Sequence, residues 1–320
     1  MNRPVVLSLG SVNVDFQVRI DGTPEFGTTL LGRDFRRLGG GKAANVAFLA
    51  RRLDVAAQLL ARVGDDDLSE HALAPLREIG VDLARTSAVQ GHSTGVALIA
   101  VPPDGQKTII LAGNANEAWT RDDASEVVLA IERAPRGSVL VVDYEIAGFV
   151  VEQAVEAASR RGLPVVLDPA PPDRVDWRLL PRIAVVVPDA SETEHLTGIA
   201  IDDLAAGARA AGILLERGAQ AACVKLKGGG CVLAQAEQTV HVAPVPVEVI
   251  DTTGAGDAFA GALAVALLEQ RPMVEAACFA AAASLLAVGG YGSQPAYPTR
   301  ADLEEVARQL EARTEILHQR

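Results

Sequence analysis

Aromatic residues are scarce, at 4% of the 320-residue chain. The 49% that is hydrophobic is instead dominated by Ala, Val and Leu. That composition suits a parallel sheet covered by helices, with small side chains at the contacts. Cysteine is also rare. Cys223, Cys231 and Cys278 form no CxxC pair and are odd in number, which argues against a disulfide framework and for a reduced compartment. The five histidines are scattered, without metal-ligand spacing. Basic residues are outnumbered, 29 against 41 acidic ones, for a net charge of −12. This balance argues against nucleic acid and against an anionic membrane surface as partners. Any anionic ligand must then be held by local dipoles and a few cations. Long apolar runs are missing too. The longest, AACFAAAASLLAV (276–288), falls short of the roughly 20 residues a membrane span needs. The amino-terminal run reaches Asn13 and Asp15 too soon for a signal peptide. A soluble, cytoplasmic protein is the expectation.

What is present is a repeated alternation of strand-like and helix-like segments. Strands are expected at 5–10, 139–143, 164–168, 183–188, 221–226 and 247–251. Helices are expected at 43–53, 150–161, 258–270, 273–288 and 300–316 from their three- and four-residue apolar spacing. The alternation implies an α/β fold with a parallel sheet between helical layers. Residues 11–37 and 93–113 break it with period-two patterns and a turn carrying Pro102, Pro103 and Gly105. They read as four strands with one polar face. This is either a small sheet standing off the main body as a flap or an extension of the main sheet's edge. No repeat, linker or boundary between independent domains is evident.

Three motifs carry chemistry. DTTGAGDAF (251–259) is a glycine turn opening a helix, where backbone N–H groups converge on an anion. It lacks the third glycine of a dinucleotide fingerprint. Asp257 just beyond the turn would repel a phosphate unless a hydroxyl lies between them. Phosphoryl transfer to an alcohol supplies that hydroxyl, with the turn as anion hole and Asp257 as base. A carboxylate offsetting the helix dipole is the plainer alternative. GGGKAANVA (39–47) lacks Walker spacing. Its glycines allow close approach, while Lys42 and Asn45 offer donors, unless the segment is only a tight loop. In GSVNVD (10–15), Asn13 and Asp15 share one strand face. They either clamp a polyol or decorate a solvated face.

These motifs, with STGVALI (93–99), LDPAP (167–171) and DASETEHLTG (189–198), stand in the order seen in ribokinase-type sugar kinases of the phosphofructokinase-B group. The chain resembles that family over essentially its full length. The resemblance implies a three-layer α/β domain, with a small β-sheet lid (about 11–37 and 93–113) that often forms a dimer interface. It implies ATP-dependent phosphorylation of a sugar's primary hydroxyl, with ribose favoured over fructose, a nucleoside or a keto-deoxy sugar acid. A non-catalytic sugar or nucleotide sensor on the same fold is the rival from another class. The implied base is Asp257, with Gly254, Ala255 and Gly256 as the anion hole. The implied sugar site is Asn13, Asp15, Gly40, Gly41, Lys42, Asn45 and Glu145. ATP would lie along Lys225, Lys227, Gly228, Gly230 and Ala281. Mg²⁺ would be held, mostly through water, near Asp189 and Glu192. K⁺ would sit at Asp251 and the carbonyls of Thr253, Ala287, Gly290 and Gly292. The chain departs from the family pattern at Asp189, where Asn is usual, and at Lys225 and Lys227, where Thr and Gly are usual. It also departs at Ala281, where Asn or His is common, and at Ala296, where a serine ligand is common.

Overall fold

A computed structural model describes residues 3–22, 24, 27, 29–105 and 107–319. Within the expected flap, residues 23, 25, 26, 28 and 106 lie outside the described residues. The first half of the chain contains β1 (Val6–Leu9), β2 (Asn13–Ile20), β3 (Gly32–Gly40), α1 (Lys42–Arg52), β4 (Ala57–Gly64), α2 (Asp67–Glu78), β5 (Asp82–Val89), β6 (Gly95–Val101), β7 (Thr108–Ala112), α3 (Arg121–Arg133), β8 (Val139–Val142) and α4 (Gly148–Arg161). The second half contains β9 (Val165–Leu167), β10 (Val185–Val186), α5 (Ala190–Thr197), α6 (Leu204–Glu216), β11 (Ala221–Lys225), β12 (Cys231–Gln235), β13 (Gln238–Val242), α7 (Ala255–Leu268), α8 (Met273–Ala287), α9 (Arg300–Glu311) and β14 (Thr314–Gln319).

The large sheet has ten strands in the order β14-β13-β12-β11-β10-β9-β8-β1-β4-β5. The strands from β11 to β5 pair in parallel, whereas β12, β13 and β14 are antiparallel. The sheet is therefore mixed, a common arrangement at one edge of an otherwise parallel sheet. Its parallel strands are apolar on both faces because both faces are covered. Val139 and Val141 of β8 join one core with α1, α7 and α8. Leu140 and Val142 join the other, with α3, α4 and α6.

Two expected elements differ. Residues 247–251 form no strand. Pro244 and Pro246 just upstream donate no backbone hydrogen bond, so ladder pairing is broken there. The last helix ends at Glu311, and Thr314–Gln319 pairs with β13 instead of prolonging it. Thr314 and Ile316 are β-branched, a shape favoured in strands.

The small sheet is separate, in the order β3-β2-β6-β7. Its polar face exists but is turned inward. On β2, Asn13, Asp15 and Gln17 are buried. The opposite face carries exposed Leu98, Ile110 and Phe35, with Phe35 stacked on Phe16.

Candidate active site

In open parallel sheets, ligand sites gather beyond the carboxyl ends of the strands. Here Ser11 and Asn13 follow β1, Asp143 and Glu145 follow β8, Asp168 follows β9, Asp189 follows β10, and Lys225 ends β11. Of these, Asn13, Glu145, Asp189 and Lys225, together with the amino terminus of α7 and the inner face of the small sheet, line a cavity of about 990 Å³.

The turn before α7 explains its glycine. Gly254 caps the helix at φ +75°, a left-handed conformation costly for other residues. A Cβ there would also lie 2.5 Å from Ser293 Cβ. Asp257 in the first helical turn is held from two sides. The Asn45 amide donates to Oδ2 at 2.7 Å, and Lys42 Nζ stands 3.6 Å from Oδ1. Lys42 bridges onward to Asp168 at 3.1 Å. Burial alone would lower the Lys42 ammonium. Asp168, Asp257, Glu145 and Glu192 outweigh it and hold the group well above its usual range.

The β2 side is built around Asp15. Gly40 pairs across from Asn13, and a Cβ on Gly40 would lie 2.3 Å from the Asp15 carboxylate. Gly40 does not itself line the cavity; its missing side chain makes room for Asp15. Burial, reinforced by Asp257, Glu145 and Asp251, pushes Asp15 up to about 7. Asn13 is oriented by Asn116, whose amide donates to Asn13 Oδ1 at 2.8 Å. Glu145 accepts from Ser11 Oγ at 2.6 Å, and its backbone N–H donates to Asp143 at 2.9 Å. Burial raises both Glu145 and Asp143 above the ordinary carboxylate range.

The far half of the cavity is lined by Lys225, Lys227, Gly228, Gly230, Ala281, Asp189 and Glu192. Lys225 Nζ lies 3.3 Å from where a Cβ on Gly256 would stand, beside the glycine turn. Asp189 and Glu192 form a reciprocal cap on α5, at 2.8 and 2.7 Å. Burial, then Asp168, lifts Glu192 to about 7. No cluster of three or more metal-ligating side chains occurs among the described residues. Two carboxylates at the wall fit a Mg²⁺ held mainly by phosphate and water, the usual habit of that ion.

The K⁺ residues behave differently. Thr253 lines the cavity; Asp251, Ala287, Gly290 and Gly292 do not. Asp251 Oδ1 accepts from Thr253 N and Thr253 Oγ1, at 2.9 and 2.7 Å. Oδ2 accepts from Gly292 N at 2.9 Å and from the Gln17 amide. A carboxylate offers about four lone-pair sites, and four donors occupy them. On the carboxylate side, the donor set leaves no free lone pair for the K⁺ that the resemblance implies.

Sequence reasoning missed Asp168, Asp143, Asn116, Gln17 and Lys107. Asp168 and Asp143 each stand directly after an apolar strand run, a signal that was there to be read. Lys107 had none. It sits beside the hairpin turn, and its ammonium donates to Thr252 O at 2.9 Å. Burial pulls it below its usual value, against the attraction of Asp257 and Asp251.

A buried carboxylate at a helix amino terminus, a glycine anion turn and a polar pocket facing them can move a phosphoryl group onto a hydroxyl. The sequence matches the pfkB family of carbohydrate kinases over residues 4–300. The chain belongs to that family. It is 33% identical over 306 residues to a ribokinase of Mus musculus, covering 93% of each chain. It is 30% identical over 305 residues to a ribokinase of Haemophilus influenzae, covering 95% of this chain and 98% of that one. The structure of Arabidopsis thaliana ribokinase complexed with ribose and ATP superposes with a TM-score of 0.80 at 30% identity, covering 96% of this chain and 99% of that one. The protein is thus a sugar kinase of the ribokinase type.

Proposed function

We propose that the enzyme transfers the γ-phosphoryl group of ATP to a primary hydroxyl of D-ribose. The observation that carries this reading is Asp257, held by Asn45 and Lys42 at the mouth of the α7 turn, in one cavity with Asn13, Asp15 and Glu145. Asp257 accepts the hydroxyl proton. The N–H groups of the Gly254, Ala255 and Gly256 turn face the charge that develops on the transferred group, the Ala255 N–H turning from the Thr252 carbonyl it meets at 3.3 Å, and Lys42 and Lys225 offset that charge. Asn13, Asp15, Asn45 and Glu145 hold the sugar hydroxyls, and Gly41 lets the sugar approach the backbone. With Asn13 Oδ1 engaged by Asn116, its amide N–H groups are the donors left for the sugar. ATP would lie along Lys225–Gly230 with its base toward Ala281, and Asp189 and Glu192 would hold the Mg²⁺ that offsets phosphate charge. The names of the two ribokinase relatives and the ribose and ATP of the Arabidopsis complex support this choice.

The small sheet acts as a lid within a single unit. Its exposed apolar face supports a homodimer formed through it, since monomers rarely expose such a patch. Three buried, unpaired cysteines support a cytoplasmic setting. The test is ADP release with pentoses, hexoses, nucleosides and keto-deoxy sugar acids. Ribose should have the highest kcat/KM. A higher value for another acceptor overturns ribose, and ADP release from none of them overturns catalysis at this site.

A further inference from the structure

Asp251, the one carboxylate among the residues that would surround a monovalent cation, already has four donors, and one of them comes from the small sheet. Gln17 on β2 is fully buried, and its amide donates to Asp251 Oδ2. Lys107, just before β7, donates to the carbonyl of Thr252 at 2.9 Å. Asp251, Thr252 and Thr253 lead directly into the anion turn. A second strap holds the neighbouring loop. Tyr291 lies between the guanidinium groups of Arg19 and Arg36, 4.4 and 4.8 Å from its ring centre, and its hydroxyl donates to Asp34 O at 3.3 Å. Where the resemblance has a serine ligand, the Ala296 methyl packs against Gly290, 2.6 Å from where a Cβ on it would stand.

We infer that Gln17 and Lys107 take the place of a monovalent cation, so that the small sheet itself fixes the Asp251–Thr253 segment and turnover is independent of K⁺. A cation at this position would neutralise Asp251 and tie the surrounding carbonyls together. The Gln17 amide and the Thr253 and Gly292 donors satisfy Asp251 from within the chain, and the Lys107 ammonium ties down the Thr252 carbonyl beside it. The guanidinium groups of Arg19 on β2 and Arg36 on β3, stacked on Tyr291, add positive charge that disfavours another cation. Docking of the small sheet and assembly of the anion turn then become one event. Gln17 Oε1 and Ser293 Oγ are buried without a hydrogen-bond partner among the described residues.

The experiment compares K⁺, Na⁺ and N-methyl-D-glucamine as the sole monovalent cation at fixed ionic strength. It uses the full chain and reads both kcat and melting temperature. Wild type should vary less than about twofold in kcat, because no step needs the ion. Its melting temperature without substrate should be the same in all three. Gln17→Val suits a strand and removes the donor. It should lose roughly tenfold in kcat in N-methyl-D-glucamine, the loss of one well-placed interaction. It should regain most of that with K⁺, and its melting temperature should become K⁺-dependent. Lys107→Met should show the same gain of K⁺ dependence. Wild type activated several-fold by K⁺ overturns the inference, whether or not the variants fold. So does Gln17→Val with wild-type kcat in N-methyl-D-glucamine. The rate arm rests on the kinase reading, but the melting arm needs no substrate and decides the cation question even if ribose fails.

Discussion

The two sheets solve opposite burial problems. The large sheet is apolar on both faces, with cores above and below it. The small sheet buries Asn13, Asp15 and Gln17 and exposes Leu98, Ile110 and Phe35. By ordinary amphipathic logic it is inside out. Burying a charged or polar group is costly unless it is paired, so the inward polar face must be held by specific partners: Asn116 for Asn13 and Asp251 for Gln17. The large sheet carries the two main apolar cores, while the small sheet turns Asn13 and Asp15 toward the cavity.

The sharpest test of that division lies on the large-sheet side. Asp257→Asn preserves the shape of the α7 terminus and removes the base. A positioned base contributes ~10²–10⁴-fold, so kcat should fall at least ~10²-fold while sugar affinity by calorimetry stays nearly unchanged. More than half the wild-type turnover, with chemistry shown to be rate-limiting, would take the base away from Asp257.

Asp15 probes the small sheet's polar face with a smaller effect on chemistry. A site that hydrogen-bonds hydroxyls can reject deoxy analogues by up to ~10⁴-fold. Asp15→Ala should flatten that preference and raise KM for the sugar, with little change for ATP. Titration calorimetry with the sugar and its deoxy analogues checks this; undiminished discrimination would reduce Asp15 to a structural role. The same residue links stability to pH. Its pKa rises from 3.8 to about 7 on folding, so between those values the native state binds more protons than the unfolded one. Stability is then greatest near or below pH 4 for this group and falls as pH rises through 7. Each pKa unit is worth ~1.4 kcal/mol, which caps the contribution at roughly 4 kcal/mol. Glu192 acts with the same sign. Ligand-free Asp15→Asn should therefore gain more stability over wild type at pH 8 than at pH 5. An equal gain at both pH values would mean that Asp15 is not held near 7.

The outer face should respond least. Ile110→Lys alters an exposed side chain, and such changes usually stay within about 0.5 kcal/mol. Its expected effect is on assembly: light scattering should shift from dimer toward monomer with the melting temperature almost unmoved. A wild-type protein that is already monomeric would leave the outer face without its proposed partner.

The chain order itself carried much of the candidate site. Asp257, Lys42, Asn45 and Asp15 stand in short motifs next to glycines, and a turn is a local event set by a few residues, whereas Glu145 was implied only by the family resemblance. Alternation of strand and helix likewise pointed to the layered sheet, because periodicity is local. The antiparallel edge was not legible in the same way. Thr314–Gln319 pairs with β13 about 75 residues upstream, and no local pattern distinguishes it from a frayed helix end. Whether the polar face of β2 meets solvent or protein was equally open, since period two defines faces but not which one is covered. The engagement of Asp251 depended wholly on tertiary contact. Gln17 is 234 positions away in sequence, and nothing near either residue marks the other. Local chemistry set which groups could act on a phosphate and a hydroxyl. Only packing of the small sheet against the large one decided which of them meet, because a hydrogen bond needs its partners within about 3 Å and the chain brings distant segments that close only when folded.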